Sequence, residues 1–363
     1  MQNKTVLYAV INWGLGHVTR SAPIIRHLIA RGNHVILISH GNALAFLREE
    51  FPGCRFHDIK DQKIDYSRFS FMFVFKIVSQ LPKMLFGWGY ERKRMQELEK
   101  AYHPDLIISE MRLGFWSKKI PSVLITHQLR FHLPPVLRWA AVFGECFNFL
   151  VFRKYDYVFV PDAAGRPNLS GELSHKGRIS RHPKIRYIGC LSSIVPEKDP
   201  PAKDIDLLVS ISGPEPQRSS FEEKVMQQLE NTKGKVWLAL GQPDARKDKV
   251  LENGRIRIYS HLDRKDMADA MQRAKYIICR SGYSTVMELL ALRRSALLVP
   301  TPGQTEQEYL ADYYQQEGLF DSCAQDELDL KNIKAVTTRQ VAKRHIPVNR
   351  LDYIEELLDT LCI

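Results

Sequence analysis

Four stretches of the sequence carry hydrogen-bonding or proton-accepting side chains at points where a strand gives way to a helix. The first is Gly14-Leu15-Gly16-His17. Glycines there let a ligand approach the backbone, and the start of the following helix favours an anion or a polarised hydroxyl. His17 suits a general base that takes a proton from a hydroxyl, and it suits equally a capping or structural role. The second stretch is Arg280-Ser281-Gly282-Tyr283-Ser284-Thr285-Val286-Met287-Glu288. Backbone N–H groups near Ser284 and Thr285, with their hydroxyls, can hold a diphosphate at a helix N-terminus. Glu288 follows one turn later on the same face. There its carboxylate can accept both hydroxyls of a ribose, close a capping box on Thr285, or do both.

The third stretch runs from Val299 to Glu308. Gln304, Glu306, Gln307 and Glu308 follow a Pro/Gly loop and suit a neutral polyol, because each can engage two sugar hydroxyls. A solvated helix start is the plain alternative. The fourth, Ser210-Ile211-Ser212-Gly213-Pro214, can wrap a phosphate through backbone N–H groups, although Pro214 supplies none. Glu110 and His127 follow the apolar runs Leu106–Ser109 and Ser122–Thr126, in positions equivalent to that of His17. They are the other candidates for the base, with acceptor binding or packing as their alternative roles. Arg112, close after Glu110, suits contact with an anionic acceptor or a solvated loop.

Several chemistries are disfavoured. Thr19 stands where a dinucleotide fingerprint needs its third glycine, and the second strand ends in Ser39-His40 without an acidic residue for a ribose. No His/Cys cluster offers a metal site, and Asp204-Ile205-Asp206 reads as the opening of a strand. The six cysteines are scattered without a C-x-x-C pair, which fits reduced thiols in a cytoplasmic protein.

The elements that would position these groups alternate strand and helix. Val6–Ile11, a helix from Val18 to Ala30 and His34–Ser39 form a βαβ unit, which implies a parallel sheet. Pro- and charge-rich residues between Gly189 and Lys203 read as a linker. A second alternation then begins at Leu207. The expected organisation is therefore a first α/β domain over residues 1–190, a second over 191–339, and a closing amphipathic helix within 340–363.

Charge is unevenly distributed. The net charge is +11, with +14 in residues 1–190 and −3 in the remainder. The first domain is thus expected to meet an anionic partner. Nucleic acid is disfavoured, since no zinc finger, aromatic RNA-binding signature or long Arg-rich arm is present. The segment Phe69–Arg94 interleaves Phe71, Phe73, Phe75, Leu81, Leu85, Phe86 and Trp88 with lysines and arginines. It suits a membrane interface and a lipid-linked acceptor, or a helix packed on its own domain. No run of about 18 uninterrupted apolar residues is present to span a membrane.

Taken together, these motifs resemble the GT-B glycosyltransferases of family 28, most specifically at Gly14–Arg20 and from His261 to Ala311. The resemblance implies two Rossmann-like domains with parallel sheets facing a cleft and a C-terminal helix returning to the N-terminal domain. It implies that the C-terminal domain binds a UDP-sugar and the N-terminal domain a hydroxyl acceptor, with inversion and without metal or other cofactor. By motif, Glu288 would bind ribose, and Ser212, Gly213, Ser284 and Thr285 would approach the diphosphate. Gln307 with Glu306 or Glu308 would hold the donor sugar, and His261-Leu262 would border the uracil. Asn12-Trp13-Gly14 departs from the family's glycine pair, Ser212-Gly213-Pro214 shortens its phosphate loop, and Gln307-Glu308 replaces a glutamine pair. The pattern Gly14-x-Gly16-His17-x-x-Arg20 also resembles UDP-sugar hydrolases of nonulosonic acid synthesis, in which water replaces the acceptor. A sugar-nucleotide sensor without turnover is the third reading.

Overall fold

The structure, a computed structural model, describes residues 1–62, 73–130, 132–133, 141–194, 196, 199–230, 232–242, 248–251, 254–332 and 346–362, without the side chains of 73–78 and 81. The chain divides into two compact units, Met1–Ser193 with Ile346–Ile363, and Ile194–His345.

In the first unit, β1 (Thr5–Val10), β2 (His34–Ser39), β3 (Arg55–Asp58), β4 (Leu106–Glu110), β5 (Ser122–Ile125), β6 (Tyr157–Val160) and β7 (Ile185–Tyr187) build one sheet. Its order is β3-β2-β1-β4-β5-β6-β7, and every pairing is parallel. Val6 to Val10 are fully buried, which explains an apolar run without alternation: both faces of this strand are covered. Val6, Tyr8 and Val10 pack with Val18, Ile25 and Leu28 of α1 (Leu15–Ala30). Leu7 and Ala9 face Met95 and Leu98 of α3 (Phe73–Tyr102), which follows α2 (Gly41–Glu50). The C-terminal helix Leu351–Asp359 returns to this unit, as the resemblance implies. It buries Ile354 and Leu358 in the same core, and Glu355 pairs with His27 at 2.9 Å and Arg31 at 2.7 Å.

The second unit repeats the plan. Its strands are β8 (Ile205–Ser210), β9 (Val236–Ala239), β10 (Lys249–Leu251), β11 (Ile256–Tyr259), β12 (Ala274–Cys279), β13 (Leu297–Leu298) and β14 (Asp321–Ser322). They follow the order β10-β11-β9-β8-β12-β13-β14. Only β10 and β11 pair antiparallel among the described residues. In both sheets the strand order reverses beside the first strand, between β1 and β4 and between β8 and β12. In open parallel sheets that reversal opens a crevice at the carboxyl ends of the strands, where ligands bind.

Several elements depart from the sequence reading. Helix α1 begins at Leu15, so Gly16 and His17 lie in its first turn and not in a preceding loop. The elements β3, α3, β10 and β14 carry weak signals: β3 and β10 are largely exposed, and α3 contains Pro82. Residues 69–72 of the aromatic-basic segment, residues 333–345 and the linker residues Val195, Glu197 and Lys198 lie outside the described residues, as do the side chains of Phe73, Phe75 and Leu81.

Candidate functional site

In the first unit, four side chains converge at the carboxyl ends of β1 and β4. Gly14 caps α1 with φ of 89°, a conformation that a side chain would strain, and a Cβ there would meet nothing within 4 Å. Three residues on, His17 points its Nδ1 at the Glu110 carboxylate, 3.0 Å from Oε1. Arg20, one further turn along, donates to the same oxygen through Nε at 2.9 Å and through Nη2. Its Nη2 also stands 2.7 Å from His17 Nδ1, and its Nη1 stands 3.1 Å from Nδ1 of His127.

Burial and ion pairing then sort the roles. Burial alone would push Glu110 up, but the charge of Arg20 and the hydrogen bond of His17 outweigh it and hold the carboxyl below its usual range. Glu110 is fully enclosed, with Oε1 held by Arg20. His17 is lowered by burial and then by Arg20, so it is neutral near pH 7. Its side chain keeps 16% exposure, whereas His127 is buried. The Nδ1 of His17 faces both Glu110 and Arg20, and Nε2 is the other ring nitrogen.

Arg112 is not available to an acceptor. It is 1% exposed, its Nε donates to Glu91 at 2.8 Å, and its guanidinium stacks on Phe115. Glu91 also accepts the Gly114 N–H at 3.1 Å, so this pair fastens α3 to the segment after β4. A recess among the described residues of this unit is a cavity of about 630 Å³ lined by Asn12, Gly14, His40, Lys60, Asp61 and Lys83, among others. Asp61 anchors it by accepting the Asn12 N–H at 2.6 Å, and the Trp13 indole donates to Gln62 O at 3.1 Å. Three turns distant in sequence build this cavity, and no single motif announces it.

In the second unit, the segment after β12 enters α8 (Tyr283–Ala291) through Gly282, an N-cap that supplies no side-chain cap. Thr285 is therefore the third helical residue and not the cap, and the capping-box alternative for Glu288 falls away. Ser284, Thr285 and Glu288 are all half-buried. Burial pushes Glu288 up to about 7, opposed by the charge of Arg264, which opens the helix Arg264–Arg273 just after His261-Leu262. The start of that helix and the carboxylate are thus electrostatic neighbours. Gly213, at φ of 116°, comes close to Thr301: a Cβ there would lie 3.6 Å from the Thr301 hydroxyl, which is buried without a partner. The loop after β8 and the loop after β13 meet at this point.

Other residues of these motifs turn inward. Arg280 donates to Val299 O, Pro300 O, Gln217 O and Gln325 Oε1 and lies 4.0 Å over the Phe221 ring. The Ser281 hydroxyl is bonded to Gln307 O at 2.8 Å. Both side chains brace the turn. Gln307 accepts the Thr301 N–H and donates to Gln304, and Glu308 accepts the Gly303 N–H. These three shape their own loop, while Glu306 is half-buried at the helix start. Leu262 is buried and His261 exposed. Asp204 and Asp206 sit at the opening of β8, paired with Arg273 and Lys235 and with Lys275. Among the described residues one group, His27, Asp352 and Glu355, has metal-ligand proximity, and Glu355 is already paired with Arg31.

Arg20 and Thr301 were not legible as site residues. Arg20 shows only as the end of the His17-x-x-Arg20 spacing, and Thr301 as one hydroxyl in a Pro/Gly loop.

Comparison with known proteins supports both halves. The glycosyltransferase family 28 C-terminal domain matches residues 218–351, and the glycosyl transferase family 1 domain matches residues 4–121. A UDP-N-acetylglucosamine--N-acetylmuramyl-(pentapeptide) pyrophosphoryl-undecaprenol N-acetylglucosamine transferase of Pasteurella multocida is 36% identical over 89 residues, 24% of this chain and 25% of that protein. The aligned part of this chain thus spans about a quarter of that relative's length. The glycotransferase of kitacinnamycin superposes over 100% of this chain and 94% of its own, with TM-score 0.64 and 14% identity. Acinetobacter baumannii MurG covers 98% of this chain and 99% of its own, with TM-score 0.58 and 15% identity. The second unit thus carries a glycosyltransferase family 28 C-terminal domain, the first a glycosyl transferase family 1 domain, and the whole chain has the two-sheet GT-B fold of such enzymes.

Proposed function

We propose that the protein moves a sugar from a UDP-sugar to a hydroxyl acceptor, inverting the anomeric centre without a metal ion. The second unit holds the donor. The diphosphate lies against the first N–H groups of α8 and the Gly213 loop, and the ribose hydroxyls donate to Glu288. The acceptor hydroxyl gives its proton to Nε2 of His17 while its oxygen bonds to the anomeric carbon. The bond from that carbon to the phosphate oxygen breaks, and its electron pair leaves with UDP. The negative charge that develops there is met by the start of α8. Glu288 carries this reading: it is a half-buried carboxylate raised to about 7 by burial, one turn into a helix whose N-cap is glycine, at a strand-order reversal. The carboxylate gains most from a ligand that donates hydroxyls.

The sign of its pH dependence follows. The apo protein holds a proton on Glu288 more tightly than an unfolded chain does. This residue's contribution to apo stability therefore falls as pH rises from 4.5 through about 7. Ribose hydroxyls favour the anion, so binding releases a proton and tightens about tenfold between pH 6 and pH 8. Calorimetric titration with UDP in two buffers of different ionisation enthalpy measures that release. A thermal-shift panel of UDP-, GDP- and dTDP-sugars tests the donor class. Stabilisation by UDP compounds is expected, and indifference to every nucleotide would overturn the reading.

The hydrolase reading draws on His17-x-x-Arg20, since the same base can activate water. UDP release from a UDP-sugar at an unchanged rate with and without acceptors would favour it. Nucleotide binding without any turnover would favour the sensor reading.

For the acceptor, we propose a lipid-linked molecule met at a membrane surface. Leu85, Phe86 and Tyr90 of α3 and Val142, Phe143 and Leu150 of α4 (Ala141–Phe152) are exposed. Trp88 stacks on Phe147 at 5.5 Å, which joins the two helices. Lys83 and Lys93 stand exposed on α3, in the half of the chain that carries the positive charge. No helix among the described residues is long and apolar enough to cross a membrane, so this contact is peripheral. The wild-type protein is expected to sediment with phosphatidylglycerol-containing vesicles, and the double variant F86E/F143E to lose most of that binding. Failure of the wild type to bind such vesicles at low salt would remove the membrane from the account.

A further inference from the structure

The two imidazoles near Glu110 share one neighbour, and its chemistry is one-sided. A guanidinium has five N–H donors and no acceptor, and it stays charged in proteins. Arg20 Nη1 lies 3.1 Å from His127 Nδ1, so that ring nitrogen must be bare and the neutral ring carries its proton on Nε2. At His17, a donor and an acceptor compete for one nitrogen. Arg20 Nη2 stands 2.7 Å from Nδ1, and Glu110 Oε1 stands 3.0 Å from it. The carboxylate decides this competition. Glu110 is fully enclosed, its Oε2 has no partner, and a bare ring nitrogen would set lone pair against lone pair at Oε1. An Nδ1–H instead gives that oxygen a third donor, and the closest contact of Arg20 Nη2 is already with the same oxygen.

We propose that Arg20 is a positioning residue that gives the two imidazoles opposite tautomers, His127 protonated on Nε2 and His17 protonated on Nδ1. It acts on His127 directly, through Nη1. It acts on His17 by holding Glu110 as the anion that accepts Nδ1–H. Of the two histidines, only His17 is then left with a basic Nε2. The same buried strand ends therefore hold one proton acceptor and one obligate donor. The consequence for catalysis rests on the reading of His17 as the base. The tautomers themselves do not, because they are properties of the protein without substrate.

Long-range proton–nitrogen correlation NMR of the full-length, nitrogen-15-labelled protein reads both rings, with signals assigned by H17Q and H127Q. In the wild type, Nδ1 of His127 is expected to resonate as a bare, pyridine-type nitrogen and Nδ1 of His17 as a protonated, pyrrole-type one. R20K retains the His127 pattern, since an ammonium also only donates, whereas R20M lets that ring populate both tautomers. With the donor substrate, R20M is expected to lower kcat about tenfold or more while nucleotide affinity stays within about twofold. A single tautomer common to both wild-type rings would overturn the proposal, as would an R20M spectrum in which His127 is unchanged. If R20M fails to fold, the wild-type spectrum still decides. A purely structural role would lower Tm in these variants without moving the ring nitrogens. Failure of sugar transfer in every assay would leave these spectra interpretable, so the two readings stand or fall separately.

Discussion

Replacing His17 by Gln is expected to lower turnover of the donor by about 10²–10⁴, the usual contribution of a positioned general base. Gln fills nearly the same space and can still hydrogen-bond Glu110, so the change removes basicity more than structure. Nucleotide affinity is expected to stay within about twofold, because His17 belongs to the first unit and the proposed donor groups to the second. The pH profile gives a further check. Burial and the charge of Arg20 hold the imidazole below its ordinary value, so the acid limb of kcat/KM is expected below pH 6.5. Glu110 and His127 are the rival candidates, and both are buried against Arg20, which holds Oε1 of one and Nδ1 of the other. Retention of full turnover in H17Q would return the base to a residue outside this cluster.

The second large effect is expected at Glu288. Two hydroxyl hydrogen bonds to a carboxylate contribute about 1.5–3 kcal/mol each, so Glu288→Ala is expected to weaken UDP binding by at least about a hundredfold. The thermal shift produced by UDP in the wild type should then disappear. The substitution also removes a carboxylate that burial has raised to about 7. The apo variant is therefore expected to be no less stable than the wild type above pH 7, which separates loss of binding from loss of folding. A variant that keeps both its UDP affinity and the wild-type pH dependence would show that the ribose lies elsewhere.

What the sequence made legible, and what it hid, follows from geometry. The strands β1, β4, β8 and β12 stand out because strands covered on both faces are written as unbroken apolar runs. The loops at their carboxyl ends stand out for the same reason, and with them His17, Glu110, Gly213 and the Ser284-to-Glu288 turn. Side-chain direction did not stand out. Arg280 and Ser281 lie within the most specific motif, yet both point into the protein to brace the turn. Arg112 sits two residues beyond Glu110 but faces α3, where its partner Glu91 was not foreseeable from spacing. Arg20 gains its meaning only from Glu110, 90 positions away, and His127, 107 positions away. Contacts of that separation are products of the sheet order, which local pattern does not reveal. The start of α1 was misplaced for a smaller reason: Gly14 at positive φ caps the helix ahead of Gly16, so a residue with poor helix propensity falls inside the first turn.

The claim on which the rest depends is that Glu288 reads the two hydroxyls of a ribose. The most direct measurement is calorimetric titration of the wild type and Glu288→Gln with UDP and with 2′-deoxy-UDP, which differ by one hydroxyl. The expected result is a wild-type preference for UDP of about tenfold or more, since the deoxy ligand leaves one carboxylate interaction unmade. That preference should collapse in the variant. Equal affinity of the wild type for both ligands, or the same preference in both proteins, would contradict the account.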